Sequence, residues 1–479
     1  MHTAAATVSK MELSLRNTLT RESDVIRPLD GATFRFYCCG PTVYGPAHIG
    51  NLRTFVLQDV FRRFIESLGI ETCHVRNITD VDDKTIRESQ RSGLSLQEFT
   101  QQWQRKFTND CQALNILPPS HEPSAVAHIA DQIRLIERLI HQGHAYQAEN
   151  GSVYFRISSF KEYGKLSRLK LSGIQKNASD RLVDNDEYDK ESWRDFALWK
   201  TWKSEDGPNR WESPWGPGRP GWHIECSAMS MHYLGESFDL HSGGIDLIFP
   251  HHENEIAQSE AATGKPFAQH WFHIAHLRVN GEKMSKSLGN LYTLDEVVDR
   301  GFQPAALRYL LLSGHYRQPL NFTWESLAAA ASTLRRILGH AEGVDPELLE
   351  NAGDTSLETF IFNPVLEALC EDLNTPKALG VLNVALQGLK ALDDGAQQAA
   401  RRDLARILQM LGLPWQFQKS TTETRVPPEV EALALEREKA RIAHKWDEAD
   451  LLRDALLEQG WEVRDNSGGF EINRTKGNA

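Results

Sequence analysis

The chain has 479 residues, of which 40% are hydrophobic and 25% charged, and a formal net charge of −12. That length exceeds one ordinary core and predicts about two to four domains of a globular protein. The negative balance argues against a protein that coats nucleic acid along its whole surface, though it leaves room for a local basic patch, and no apolar run approaches a membrane span.

The opening "MHTAAATVSK" carries no apolar signal core and reads as a loose tail over residues 1–11, with Met11 as an alternative start. The six cysteines, Cys38, Cys39, Cys73, Cys111, Cys226 and Cys370, are too sparse for a disulfide framework. An intracellular, cytoplasmic protein is therefore expected, with no membrane partner. "ATFRFYCCGPTVYG" reads as a strand running into a loop, and "NLRTFVLQDVFRRFIESLGI" as a helix ending at Gly69. "ETCHVRNITDVDDK" is a second strand and loop. Strand, loop, helix, strand is a parallel α/β unit, which binds ligands at the carboxyl ends of its strands.

From about Leu117 to Arg219 the pattern changes to that of an insertion. It holds a helix near "HIADQIRLIERLIHQGHAY", a strand at "GSVYFRI" and a polar stretch bearing Trp193, Trp199, Trp202, Trp211 and Trp215. "GRPGWHIECSAMSMHYLG" resumes core-like sequence, and "ESFDLHSGGIDLIFP" is another strand with a glycine loop. From Phe322 onward helix follows helix, as far as the polar linker "QKSTTETRVPP". From Glu429 the pattern is an amphipathic helix pair and a small hairpin at "GWEVRDNSGGFEI".

Three stretches carry chemistry. In "CGPTVYGPAHIGN" a strand ends and His48-Ile49-Gly50-Asn51 starts a helix, whose free backbone donors and added side-chain donors suit phosphate; a histidine used merely as a helix cap is the alternative. In "GEKMSKSLGN" Lys283 and Lys286 make a cationic loop able to close on a developing pyrophosphate charge, or else a solvated surface loop. In "FPHHENEIAQ" His251 and Glu255, four apart, share a helix face and could converge on a cation, with His252 a weaker partner and Glu253 pointing elsewhere. A plain acidic helix start is the competing reading.

The pairing of "HIGN" with a downstream "KMSKS" resembles the class I aminoacyl-tRNA synthetases. The resemblance narrows to the cysteinyl-tRNA synthetase family through "CGPTVYG", "ITDVDDKTI", "GRPGWHIECSAM", "SGGIDLIFPHHENEIAQSEA", "GEKMSKSLGN" and "ALRYLLLSGHYRQPLNFT", and it runs from about Met11 to the C-terminus. It implies a Rossmann-like parallel-sheet catalytic domain over 12–116 and 220–282, interrupted by the insertion over 117–219. A "KMSKS" loop and stem-contact region would follow over 283–325, then an α-helical bundle over 326–415, a linker over 416–428 and a small C-terminal α+β anticodon-binding domain over 429–479.

The resemblance further implies one zinc ion per chain, held by Cys39, Cys226, His251 and Glu255 at the floor of a cysteine pocket, and magnesium entering with ATP. Two thiolates, an imidazole and a carboxylate suit zinc, and zinc separates a thiolate from an alcohol better than pocket size can. No editing domain is expected. Thr42 and His241 would line the substrate pocket, and Trp222 would close over it unless it is a core tryptophan. Gly243, Gly244 and Asp246 would hold adenosine, while His48, Gly50, Asn51, Lys283 and Lys286 would serve ATP and its activation. Asn51 departs from the second histidine common in this motif, keeping a donor but no charge. ATP, L-cysteine and tRNA(Cys) are the expected partners of a monomer. Arg437, Lys439, Arg441, Lys445 and Arg453 would give backbone affinity, with Trp446 and Trp461 either stacking on bases or packing in the core. The rivals are a ligase joining cysteine to an amino sugar, an inactive tRNA-binding relative, and a purely structural zinc.

Overall fold

The computed structural model describes residues 11–169, 195–285, 288–342, 344, 357–414, 428–443, 445–458, 460–466 and 469–474. The expected tail over 1–10, most of the expected linker, Trp193 and Lys286 lie outside the described residues. The chain forms two compact units, Met1–Trp415 and Gln416–Ala479.

The first unit opens with an antiparallel ribbon of β1 (Ser14–Arg16) and β2 (Ser23–Val25). Then come β3 (Thr33–Cys38), α1 (Ile49–Ser67), β4 (Glu71–Arg76), α2 (Asp83–Ser92), α3 (Leu96–Ala113) and α4 (Ile129–His141). Helix α1 buries Ile49, Leu52, Val56, Val60 and Phe64, a stripe at helical spacing, and its chain turns away at Gly69 with φ +80°. A small antiparallel sheet follows in the order β5 (Ala145–Gln147), β6 (Val153–Phe155), β7 (Phe196–Thr201), β8 (Gly218–Pro220). Next are α5 (Trp222–Leu234), β9 (Phe238–Gly244), α6 (His251–Thr263) and β10 (Ala268–Ile274).

The main sheet runs β10-β9-β3-β4 with every pair parallel. Its two central strands, β3 and β9, are buried along most of their length although they carry polar residues such as Arg35, Asp239, His241 and Ser242. The chain leaves β3 toward β4 on one side and returns through β9 and β10 on the other. The strand order thus reverses between β3 and β9, and a crevice opens beyond their carboxyl ends. Helices α5 and α6 lie under that crevice. They share a core with the small sheet, where Ile224, Ala228, Ala257 and Ala262 pack with Phe155, Phe196, Leu198 and Trp199.

Beyond β10 lie β11 (Leu277–Val279), β12 (Glu282–Lys283), α7 (Leu294–Asp299), α8 (Pro304–Leu312), β13 (Leu320–Phe322) and α9 (Trp324–Ala341), with a second sheet ordered β12-β11-β13. Helices α10 (Asn363–Cys370), α11 (Thr375–Gly388) and α12 (Asp394–Met410) complete the unit. Arg53 of α1 is fully buried and donates to the carbonyls of Ala275, His276, His315 and Gln318 at 2.6, 2.9, 3.0 and 2.8 Å. It fixes α1 to the segment joining β10 and β11.

The second unit holds α13 (Pro428–Ile442), α14 (Trp446–Glu458) and an antiparallel hairpin of β14 (Trp461–Asn466) and β15 (Gly469–Arg474). Trp461 is buried there with Val430, Ala434, Leu456 and Val463, so of the two tryptophans considered for base stacking it is the one that packs in a core, while Trp446 is 58% exposed. Arg437 is buried, Arg441 and Arg453 pair with Glu438 and Asp450 on their own helices, and Lys445, just before α14, pairs with Glu448. Lys439 is exposed. No helix among the described residues is long and apolar enough to cross a membrane.

Candidate functional site

A cleft of about 720 Å³ opens at the carboxyl ends of β3 and β9. One end is a cluster of thiols, imidazole and carboxylate. Cys39 follows β3, its amide donating to Ser242 of β9 at 3.0 Å. Cys226 is one turn into α5, while His251 begins α6 and Glu255 is one turn further. The Cys39 and Cys226 sulfurs are 3.9 Å apart, Cys39 Sγ is 3.8 Å from Glu255 Oε1, and His251 Nε2 is 3.0 Å from the same oxygen. One ligand atom from each of the four lies within 4.8 Å of all the others. Zinc–sulfur bonds of about 2.3 Å and zinc–nitrogen or zinc–oxygen bonds of about 2.0–2.2 Å give tetrahedral edges of roughly 3.3–3.8 Å. The donor set therefore fits a tetrahedral zinc in both chemistry and spacing.

A second set, Cys39, His241, His252 and Glu255, is equally compact. It shares two members with the first but faces inward. Cys39, Cys226 and His251 line the cleft, whereas His241, His252 and Glu255 do not. His241 Nε2 donates to Glu255 Oε2 at 2.8 Å and lies flat on Trp271, with centroids 4.7 Å apart. His252 bridges Cys39 Sγ at 3.2 Å and His273 at 2.7 Å, and His273 reaches Thr18 at 2.8 Å. These groups orient the inner members, as the outer partners of metal ligands do.

The electrostatics show a local surplus of negative charge. Burial opposes ionisation of Glu255, yet His241 and His251 outweigh it and hold the carboxyl down to about 2. Burial likewise opposes an imidazolium at His251, but Glu255 and Cys226 carry it up to about 10. Burial, with Cys226 and Glu255 adding to it, drives the Cys39 thiol well above its usual range. The one proton on His251 thus does the work of a cation among two sulfurs and a carboxylate.

Trp222 begins α5 and stacks on His251 with centroids 4.3 Å apart and an angle of 27°. It is 37% exposed and lines the cleft, so it is not a core tryptophan. Thr42 also lines the cleft and pairs with Thr79, an arrangement that brings the chain close at Gly40. A Cβ on Gly40 would lie 1.6 Å from the Asn77 carbonyl oxygen. The buried Cys38 and Cys111 are packing residues, and Cys73 and Cys370 are partly covered.

At the other end, His48 caps α1. Its Nδ1 accepts from the Asn51 amide at 3.2 Å, and Asn51 Oδ1 accepts from the His48 amide at 3.3 Å. The cap use that competed with phosphate binding is thus present, and it leaves His48 Nε2 and Asn51 Nδ2 as donors. Burial depresses the His48 pKa, favouring the neutral ring whose proton is on Nε2. A Cβ on Gly50 would lie 3.0 Å from Met284 Sδ, so "HIGN" and "KMSKS" abut. Ile49 N also donates to Tyr292 O at 2.8 Å. Lys283, Gly244 and Asp246 line this end, whereas Gly243 is covered by Leu247 and His252 and stays behind the wall.

Sequence reasoning missed His223, His273 and Lys84. His223 Nδ1 faces His251 Nδ1 at 3.0 Å, and its place three residues before Cys226 on one helix was the available signal. Lys84 lines the cleft with its ammonium 5.4 Å from the Tyr44 ring centroid. Its neighbour Asp83 is held by Lys200 and Arg219 of the small sheet.

Residues 25–332 match the family model described as the catalytic domain of class I (C) tRNA synthetases, and residues 423–472 match the cysteinyl-tRNA ligase anticodon binding domain. The chain is 48% identical over 474 residues to the cysteine-tRNA ligase of Opitutus terrae, covering 97% of this chain and 100% of that protein. It is 44% identical over 458 residues to that of Legionella pneumophila, covering 95% and 98%. Among solved structures, the methionyl-tRNA synthetase of Mycobacterium tuberculosis with methionyl-adenylate superposes with a TM-score of 0.53 at 14% identity, over 79% of this chain and 89% of that one, a likeness of fold.

Proposed function

Since the chain belongs to the cysteine-tRNA ligases, class I aminoacyl-tRNA synthetases, we propose that its cleft activates L-cysteine with Mg-ATP and passes the cysteinyl group to the terminal adenosine of tRNA(Cys). The observation that carries this reading is the thiol, imidazole and carboxylate cluster at one end of a cleft whose other end is the α1 amino terminus. Cys39, Cys226, His251 and Glu255 are the residues that would hold zinc. When bound, zinc would supply a soft Lewis-acidic centre that lowers a thiol's pKa and separates thiolate from alcohol.

The chain's own residues account for the rest. Trp222, stacked on His251, offers an aromatic wall over the amino-acid end, and Thr42 a hydroxyl beside it. His241 acts from behind through Glu255, whose orientation it fixes. The amino terminus of α1, the Nε2 proton of His48 and the Asn51 Nδ2 donor suit the triphosphate, and Asp246 beside Gly244 is able to accept from ribose hydroxyls. Lys283, and Lys286 beyond the described residues, would meet charge developing on pyrophosphate. Positioning and charge stabilisation suffice, because no covalent enzyme intermediate is required. A matched anticodon-binding unit is surplus to a ligase with a small amino-sugar acceptor.

The test is cysteine-dependent exchange of labelled pyrophosphate into ATP, followed by charging of tRNA(Cys) with labelled cysteine and with serine as competitor. Exchange and charging with cysteine, and neither with serine, support the reading. Exchange without charging would replace it with the small-acceptor ligase, and no exchange in the zinc-loaded protein would refute both.

A further inference from the structure

A second group of metal-ligating side chains lies away from the cleft, where α4 meets the last turn of α5. His128 caps α4, Asp131 lies in its first turn, and His232 comes from α5. His128 Nδ1 and His232 Nδ1 both face one oxygen, Asp131 Oδ2, at 2.9 and 3.4 Å. The two rings meet edge to face, with centroids 4.9 Å apart and an angle of 72°. All three ligand atoms fall within 4.8 Å of one another.

We propose that His128, Asp131 and His232 form a second divalent-metal site, for a first-row ion such as zinc, cobalt or nickel, that clamps α4 to the carboxyl-terminal turn of α5. Metal–nitrogen and metal–oxygen bonds of about 2.0–2.2 Å place ligand atoms roughly 2.9–3.5 Å apart, spanning octahedral and tetrahedral arrangements. Both observed separations fall in that range.

The surroundings are those of a ligand set and not only of two hydrogen bonds. His128 Nε2 lies 3.2 Å from Tyr233 Oη, so with a metal on Nδ1 the ring's remaining proton has an acceptor. Tyr233 is itself fixed by stacking on His121, with centroids 4.6 Å apart. Asp131 turns its other oxygen to Arg134. Ligating imidazoles and carboxylates ordinarily have such outer partners. The His232 side chain is 45% exposed, which leaves an entry path and room for water as a further ligand.

Nitrogen and oxygen donors here, against two sulfurs in the cleft, make the sites spectroscopically separable. Untagged, metal-free full-length protein is titrated with cobalt(II). One equivalent is expected to raise a thiolate-to-cobalt charge-transfer band. A second equivalent should add weak visible ligand-field absorption without enlarging that band. His232→Ala and Asp131→Asn, with folding checked by circular dichroism, should weaken the second equivalent at least about tenfold, by analogy with the loss of outer partners, and leave the charge-transfer band unchanged. His232 is exposed enough that its loss should not unfold the chain. Absence of a second equivalent in the wild type, or its retention in both variants, overturns the proposal. Absence of the charge-transfer band speaks to the cleft alone.

Discussion

Arg53→Met removes a buried cation that has carbonyl acceptors where a counter-ion would ordinarily stand. Four of its five N–H groups are used, by Ala275, His276, His315 and Gln318, and its Nε has no partner. Burial lowers the guanidinium pKa to about 10, so it remains charged at neutral pH. Methionine fills much of the volume and relieves the cost of burying charge, but strands four carbonyls. At about 1 kcal/mol for each unmade bond, partly offset by water reaching the exposed Gln318 and the half-buried His315, the loss is about 3 kcal/mol. Arg53→Lys keeps the charge but has three donors for four acceptors, and should lose about half as much. Ala275, His276 and Leu277 line the cleft, so their release should also cost adenylation, since a misplacement near 1 Å is worth about 100-fold in rate. Urea unfolding measures the first effect and cysteine-dependent pyrophosphate exchange the second. A destabilisation under about 1 kcal/mol, well below that of one stranded carbonyl plus repacking, together with unchanged exchange, would refute the reasoning.

Cys226→Ser should lose zinc by more than the roughly 10–100-fold that removal of an outer partner costs, read by metal analysis, and its preference for cysteine over serine should collapse to what pocket size gives, about 100-fold or less. Gly40→Ala drives a Cβ into the Asn77 carbonyl and should cost about 2–4 kcal/mol in urea unfolding, because backbone must move. Chelator-stripped protein should lose thermal stability as pH rises from about 9 toward about 10; between 6.5 and 9 the Cys226 thiol, which burial would raise but Cys39 and His251 hold down to about 6, offsets the loss. The loss arises because the raised His251 pKa contributes stability fully present below the ordinary value and lost through the folded one, so zinc, by displacing that proton, should abolish the decline. The same stripped protein should lose the Glu255 contribution as pH falls from 4.5 toward about 2. Lys84→Met should leave pyrophosphate exchange near wild type and raise the KM for tRNA in charging; a loss of exchange instead would assign the ammonium to ATP or cysteine.

The local signals were legible where one element carried them. The β3-α1-β4 unit follows from period and glycine punctuation, and the convergence of His251 with Glu255 follows from helix geometry alone. What stayed hidden depends on partners distant in sequence. Strand β10 mixes His270, Trp271 and His273, a pattern that does not announce a sheet edge, and its role appears only when it pairs with β9. The three-residue strands β5 and β8 are too short for a period to register, whereas β6 falls inside the strand expected at "GSVYFRI". Gly243 and His241 sit in a strand whose side chains alternate between the cleft side and the interior, so membership of one motif did not reveal which faced substrate. Trp222 was ambiguous because exposure is decided by what packs over the start of α5.

A helix beginning His-His-Glu-Asn-Glu would ordinarily lie at a surface, yet His251 through Ser259 of α6 are buried throughout. Burying so many polar groups is tolerable only if each has a partner. Glu253 accepts from the amides of Gly164, Leu166 and Ser167, at 2.9, 3.4 and 2.7 Å. Asn254 receives the Tyr163 hydroxyl, and Gln258 reaches His223 and Ser227. These partners come from the insertion and from α5, so the insertion's first physical task is to make an interior in which α6 can be polar. The face toward Cys39 and Cys226 sets the Glu255 carboxylate and two sulfurs around the single His251 imidazolium. The low dielectric that makes the imbalance costly also makes a dication bound there strongly held. On the proposed function, selectivity for a thiol and stability of the catalytic unit would rest on the same residues, and weakening the insertion's grip on α6 should loosen metal binding before it unfolds the sheet.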